Sequence, residues 1–141
     1  MKSFDIITLT INPALDKSTH FKGLVAEQKI RCSEPRFDAG GGGINVSKAI
    51  SRLGGSSFAV FTSGGPLGKM LEELVAQESI AFQAIPIQTW TRESFVAVDE
   101  NTNSQYRFGF TGGEITDEEE QAVLDAVANL KPKFLVASGS L

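Results

Sequence analysis

The residues best placed to do chemistry are Asp38-Ala39-Gly40-Gly41-Gly42-Gly43-Ile44-Asn45-Val46. Glycines ahead of a helix let a ligand come close to the backbone, because no Cβ intervenes. The helix start that follows offers unpaired N–H groups and the positive end of the peptide dipoles, which suit hydroxyls or anions. The run is neither a G-x-G-x-x-G dinucleotide fingerprint in its usual setting nor a Walker A loop, which requires Gly-Lys-Ser/Thr. Taken alone, it also reads as a structural turn. Asn12-Pro13-Ala14-Leu15-Asp16 is the second concentration of signal. A carboxylate there can accept two hydrogen bonds from adjacent sugar hydroxyls. Its plain alternative is a turn in which Asp16 caps a backbone group.

These segments need elements to hold them. Ile6 to Ile11 is almost wholly apolar or β-branched and reads as a central strand that stops at Asn12-Pro13. Ile30, Cys32 and Phe37 alternate with charged and polar residues, so 29–37 reads as a strand with one solvated face. Ile44, Val46, Ala49, Ile50 and Leu53 recur at helical spacing, closed by Gly54-Gly55. A buried-type strand over 57–61, an amphipathic helix through Leu67, Met70, Leu71, Leu74 and Val75, and a strand over 82–87 follow. This β, α, β, α, β order predicts an α/β fold with a parallel sheet. Ser94–Val98 and Gln105–Phe110, with a polar turn between them, read as a hairpin. Thr116 reads as the N-cap of a helix whose start, Asp117 to Glu120, is acidic. Lys131-Pro132 ends it, and Phe134 to Ala137 is a last buried strand. The chain stops directly after it, at the carboxyl end where such sheets bind ligands, as if cut.

Composition narrows the class. The sequence has 141 residues, 41% hydrophobic and 21% charged, which suits one soluble domain, 1–141, with a sizeable core. A net charge of −4 and a pI near 5.0 argue against nucleic acid or anionic membrane as partners. Cys32 is the single cysteine, which rules out a disulfide framework within the chain and fits a cytoplasmic location. It reads as a strand residue without a catalytic part. Met1 to Asp5 lacks a signal-peptide pattern, and no apolar run approaches the ~20 residues of a membrane span. His20, the only histidine, reads as a loop or strand-edge residue. Glu118, Glu119 and Glu120 read as a solvated helix start and not a metal site.

Asn12-Pro13-Ala14-Leu15-Asp16, the glycine run with Ile44-Asn45-Val46, Trp90-Thr91-Arg92 and Ser138-Gly139-Ser140-Leu141 stand in the order found in the PfkB family of ribokinase-like carbohydrate kinases. The chain resembles that family over essentially its whole length. Arg31-Cys32 with the four glycines, and Gln105-Tyr106-Arg107-Phe108, look most like its 6-phosphofructokinases. The resemblance implies a doubly wound, mostly parallel ribokinase-like sheet, of which 1–141 is the amino-terminal part. It also implies a small β-lid from segments 17–38 and 91–110. Asp16 and Asn45 would bind sugar hydroxyls, with backbone contact at Gly41. Lys29, Arg92 and Ser140 would hold the phosphate already on the substrate. Arginine offers a planar fork for such a group and lysine a compact charge. Arg107 reads as a surface charge on the lid.

Two departures matter. Kinases of the 1-phosphofructokinase and tagatose-6-phosphate type commonly carry a lysine where Gly42 stands, so Gly42 favours fructose 6-phosphate. The family's Gly-Ala-Gly-Asp motif, with its general base and anion hole, is absent from these residues. The expected protein is therefore the acceptor half of a kinase that uses ATP and Mg²⁺ in its complete form, with a homodimer formed through the lid. No catalytic residue, cofactor or metal ligand is expected in this chain itself. A non-catalytic sugar-phosphate-binding or dimerisation module is the alternative.

Overall fold

Among residues 3–140, which the computed structural model describes, the elements are β1 (Ile6–Thr10), β2 (Ala14–Phe21), β3 (Arg36–Gly40), α1 (Gly42–Arg52), β4 (Phe58–Ser63), α2 (Gly65–Gln77), β5 (Ala81–Pro86), β6 (Arg92–Asp99), β7 (Ser104–Gly109), α3 (Asp117–Leu130) and β8 (Phe134–Ala137). One four-stranded sheet runs β5-β4-β1-β8 with every neighbouring pair parallel. β1 and β4, at its centre, are covered on both faces, which is why they read as near-continuous apolar runs. β8, expected as a buried strand, is an edge strand whose Phe134 and Leu135 are exposed. In β4, Ala59 and Phe61 face one core with Ile44, Leu71 and Val75 from α1 and α2. Val60 faces the other, with Ile7 and Leu9 of β1 and Val123 and Ala126 of α3. Phe61, Ile7, Val60, Leu71 and Val123 are essentially sealed from solvent. Each such side chain contributes about 1.5–3 kcal/mol by leaving water.

The alternation in β1 has a second use. Ile7 and Leu9 enter the core, while Thr8 and Thr10 face α1. The Thr8 and Ser47 hydroxyls are 2.7 Å apart, and Ser57 donates to Ser47 at 2.9 Å. Buried hydroxyls placed this way fix the rotation of a helix as well as its distance. At the other end of the fold, Thr116 caps α3 in a reciprocal capping box with Glu119. Lys131, at φ 46, closes the helix ahead of Pro132.

The second sheet runs β3-β2-β6-β7. The expected hairpin is its β6–β7 arm. Its centre is a parallel pairing of β2 with β6, from Ala14↔Arg92 to Phe21↔Asp99. Three local expectations are corrected here. Residues 29–35 form no strand, and Cys32 is an exposed loop residue. Ser33 makes one backbone bond to β2, its N–H donating to His20 O at 2.9 Å. But the His20 N–H goes to the Ser33 hydroxyl at 3.0 Å and Pro35 has no N–H to give, so no regular ladder continues there. The strand begins at Arg36 and takes in Asp38-Ala39-Gly40, which had read as part of the glycine loop. Ala14-Leu15-Asp16 is the start of β2 and not a turn. His20 lies in that same strand and is exposed.

Candidate functional site

The carboxyl ends of β1, β4 and β8 meet the amino end of α1 and the near end of the second sheet. Gly41 precedes α1 at φ 126, a conformation that disfavours any side chain. A Cβ there would stand 2.6 Å from Thr10 Cγ2. At Gly42 a Cβ would stand 2.5 Å from the Ser138 hydroxyl, just after β8. The glycine run therefore seats the helix directly on two strand ends. Two of the first-turn amides that sequence leaves unpaired are already used. Gly43 N–H donates to Ser138 O at 3.2 Å, and Ile44 N–H donates to the Thr10 hydroxyl at 3.1 Å. Thr10 is a working residue that the sequence reading passed over. Its signal was the alternation of threonine with isoleucine and leucine in β1.

Asp16, half-buried on β2, lies against Gly40 across the β2–β3 pair, where a Cβ would collide with its carboxylate. Burial pushes the Asp16 carboxyl above its ordinary range. The Lys48, Arg92 and Arg107 charges pull it back down, while its cross-strand neighbour Asp38 pushes it further up. Lys48, on α1, donates its ammonium to Ala39 O, which holds the charge beside the glycine run. Asp38 is paired with Arg36 at 3.1 Å. Asn45 is exposed in the first turn of α1 and shares a depression with Arg36, Asp38 and Lys48.

Arg92 opens β6 and is placed by the residues before it. Thr91 N–H donates to Gly64 O at 2.9 Å, and Gly64 N–H donates to the Thr91 hydroxyl at 3.1 Å. The Trp90 ring sits over Gly65, where a Cβ would stand 2.6 Å from it. The half-buried Arg92 side chain donates from Nε to Asn12 O at 3.3 Å and from Nη1 to Phe110 O at 3.2 Å. It borders a cleft of about 440 Å³ together with Asn12, Pro13, Thr91 and Thr111. Ser140 is exposed, and its hydroxyl accepts from Asn12 Nδ2 at 3.4 Å.

Asp16, Gly41, Gly42, Asn45, Arg92 and Ser140 lie toward the strand ends beside the start of α1 but line no single cavity. Arg92 borders the cleft, Asn45 the depression with Lys48, and Ser140 a small hollow with Leu9 and Ser138. Lys29 does not join them within this chain. It is exposed in the loop beyond β2 and lines a separate cavity with His20, Lys22 and Arg31. Leu141 lies outside the described residues. The region joins a carboxylate and a hydrogen-bonding amide at one end to a guanidinium and a hydroxyl at the other. That pairing suits a polyhydroxylated molecule carrying an anionic group. Among the described residues no cluster of three or more His, Cys, Asp or Glu side chains is disposed to hold a metal ion.

Comparison with known proteins agrees in kind. ATP-dependent 6-phosphofructokinase isozyme 2 of Mycobacterium tuberculosis is 45% identical over 138 residues, 96% of this chain and 41% of that protein. The isozyme 2 of Escherichia coli K12 is 39% identical over 137 residues, 96% of this chain and 44% of that protein. The crystal structure of phosphofructokinase-2 from E. coli in complex with fructose-6-phosphate superposes with a TM-score of 0.92 at 38% identity, covering 98% of this chain and 46% of that one. The chain thus spans less than half the length of these relatives. The profile of the pfkB family carbohydrate kinases matches residues 2–141. With the parallel sheet, the glycine-seated helix and the matched span in agreement, the chain belongs to the pfkB family of carbohydrate kinases.

Proposed function

We propose that this chain carries the acceptor site of an ATP-dependent sugar-phosphate kinase, with fructose 6-phosphate as the acceptor. The observation that carries the reading is the convergence of Asp16 and Arg92 on the same end of the β2–β6 pair, beside the start of α1. Asp16 accepts from two sugar hydroxyls, Asn45 and the Gly41 backbone complete that end, and Arg92 and Ser140 hold the phosphate. Gly42 supports fructose 6-phosphate over the 1-phosphofructokinase and tagatose-6-phosphate alternatives. The close seat of α1 on Ser138 leaves no room for a lysine side chain there.

Lys29 reaches a phosphate site only from a second copy, since it lies by the far end of β2. A homodimer through the second sheet would supply it. Phe108 and Phe110, both more than half exposed near that sheet's β7 edge, support such a contact.

This chain's part in the reaction is to bind and orient the acceptor. The paired amides at the start of α1 support a nucleotide site elsewhere in the complete enzyme. The two α1 amides that could have met a phosphate already serve Ser138 O and Thr10. We place the nucleotide site, the general base and the transfer step outside these residues. Among the described residues no helix is long and apolar enough to cross a membrane.

A coupled kinase assay on the full-length gene product, with fructose 6-phosphate, fructose 1-phosphate and tagatose 6-phosphate side by side, tests the reading. The highest kcat/KM for fructose 6-phosphate is expected. A clear preference for either competitor overturns that substrate, and no turnover of any of the three overturns the kinase reading.

A further inference from the structure

Asn12 ties together parts of the fold that are far apart in sequence. Its side-chain Nδ2 donates to Thr111 O at 2.9 Å and to the Ser140 hydroxyl at 3.4 Å. Its own carbonyl accepts from Arg92 Nε at 3.3 Å. The other end of that guanidinium donates to Phe110 O, one residue before Thr111. Residues 110–116 strap the second sheet to α3, so Asn12 pins this strap where it passes Arg92. Gly112 shows how close the contact is. Its φ is 82, and a Cβ there would stand 2.7 Å from Asn12 Oδ1.

The two bonds that Arg92 makes to carbonyls fix the plane of its guanidinium while leaving other N–H groups for an anion. A planar fork recognises phosphate well only when that plane is set beforehand. Both carbonyls are governed by Asn12, one directly and one through the strap. We infer that Asn12 is a positioning residue for the phosphate end of the site, holding Arg92 and Ser140 in register without touching the sugar. The inference rests on the assignment of Arg92 to the acceptor's phosphate.

The test is steady-state kinetics on the full-length gene product with Asn12→Ala, Asn12→Asp, Arg92→Ala and the double variant Asn12→Ala/Arg92→Ala. Asn12→Asp keeps the shape of the side chain but cannot donate to Thr111 O. It serves as the second variant if Asn12→Ala folds poorly. Either single change at Asn12 is expected to raise KM for fructose 6-phosphate about tenfold, the loss of roughly one hydrogen bond's net contribution. kcat and the KM for ATP stay near wild type. Competitive inhibition by inorganic phosphate weakens by a similar factor. The double variant should be no worse than Arg92→Ala alone, because the two residues act as a unit.

The outcomes separate two failures. If Arg92→Ala leaves KM for the sugar phosphate unchanged, the phosphate assignment falls and takes this inference with it. If Arg92→Ala raises KM but the Asn12 variants do not, only the positioning role falls. A parallel loss of kcat, both KM values and thermal stability in the Asn12 variants overturns it too, since that marks a merely structural contact.

Discussion

Asp16 and Asp99 lie near opposite ends of the same pair of strands, and the fold treats their carboxyl groups in opposite ways. At the far end, Asp99 is buried and accepts the backbone N–H groups of Gly23 and Asn101, each at 3.0 Å. These bonds hold its carboxyl below its ordinary range. The charge is satisfied, and it staples the β6–β7 turn to the chain leaving β2. At the near end, Asp16 is half-buried with no backbone donor among its influences, and burial holds its carboxyl up. One carboxylate has its hydrogen bonds supplied by the protein. The other has no such backbone donors, which is what the proposed binding role for Asp16 requires.

Four experiments break or sharpen that contrast, in descending order of effect. Asp16→Asn in the full-length enzyme should lower kcat/KM for fructose 6-phosphate by about 100-fold, from the loss of charge-assisted bonds to the sugar. The same change should raise the thermal midpoint at neutral pH. The folded state holds the Asp16 proton more tightly than the unfolded chain does, so the ionised group subtracts stability as pH rises through its titration. A variant that loses both stability and binding would refute this account.

Gly40→Ala should raise KM for the sugar phosphate roughly tenfold, because the new methyl group collides with the Asp16 carboxylate. An unchanged KM would mean that the carboxylate does not need its present seat.

Asp99→Asn should leave kcat/KM intact at neutral pH but flatten the acid limb of the stability curve. The Asp99 carboxyl titrates lower in the folded state, so its contribution is complete above the ordinary carboxylate range. That contribution fades as pH falls through the folded value. Urea melts between pH 3 and pH 7 would show this, and parallel curves for variant and wild type would dismiss it.

Arg36→Ala removes an exposed partner of Asp38 and should change stability by no more than about 0.5 kcal/mol. A larger loss would show that Asp38 needs that partner to be tolerated next to Asp16.

Much of this was legible in the sequence because covered strands and amphipathic helices write their period directly. β1 and β4, all three helices and the hairpin could be read that way, as could Thr116 and the end of α3 at Lys131, while the apolar run of β8 marked a strand but not its exposure. The second sheet was harder. Ala14 to Phe21 mixes apolar, charged and hydroxyl side chains because its partners come from two directions, and Asn12-Pro13 looks like a stop. The alternation over 29–35 looked like a strand, but only Ser33 pairs with β2 there, through its N–H to His20 O at 2.9 Å, and Pro35 has no N–H to continue a ladder. At the site, charged and glycine residues announced themselves. Thr10 did not, and Asn12 stood inside a marked motif without showing its role, since each acts by holding another group and such roles appear only when partners distant in sequence are brought together.

The parallel pairing of β2 with β6 also has a consequence for how the molecule is made. Asn12 and Arg92 meet across 80 residues of chain, and that interval contains α1, β4, α2 and β5. A parallel pair cannot close as a local hairpin does, and contacts of such long range form slowly. The proposed acceptor site would therefore form only once β4 and β5, which lie between its two halves in sequence, have been made. Recovery of sugar-phosphate binding during refolding would then report the late closure of β6 onto β2.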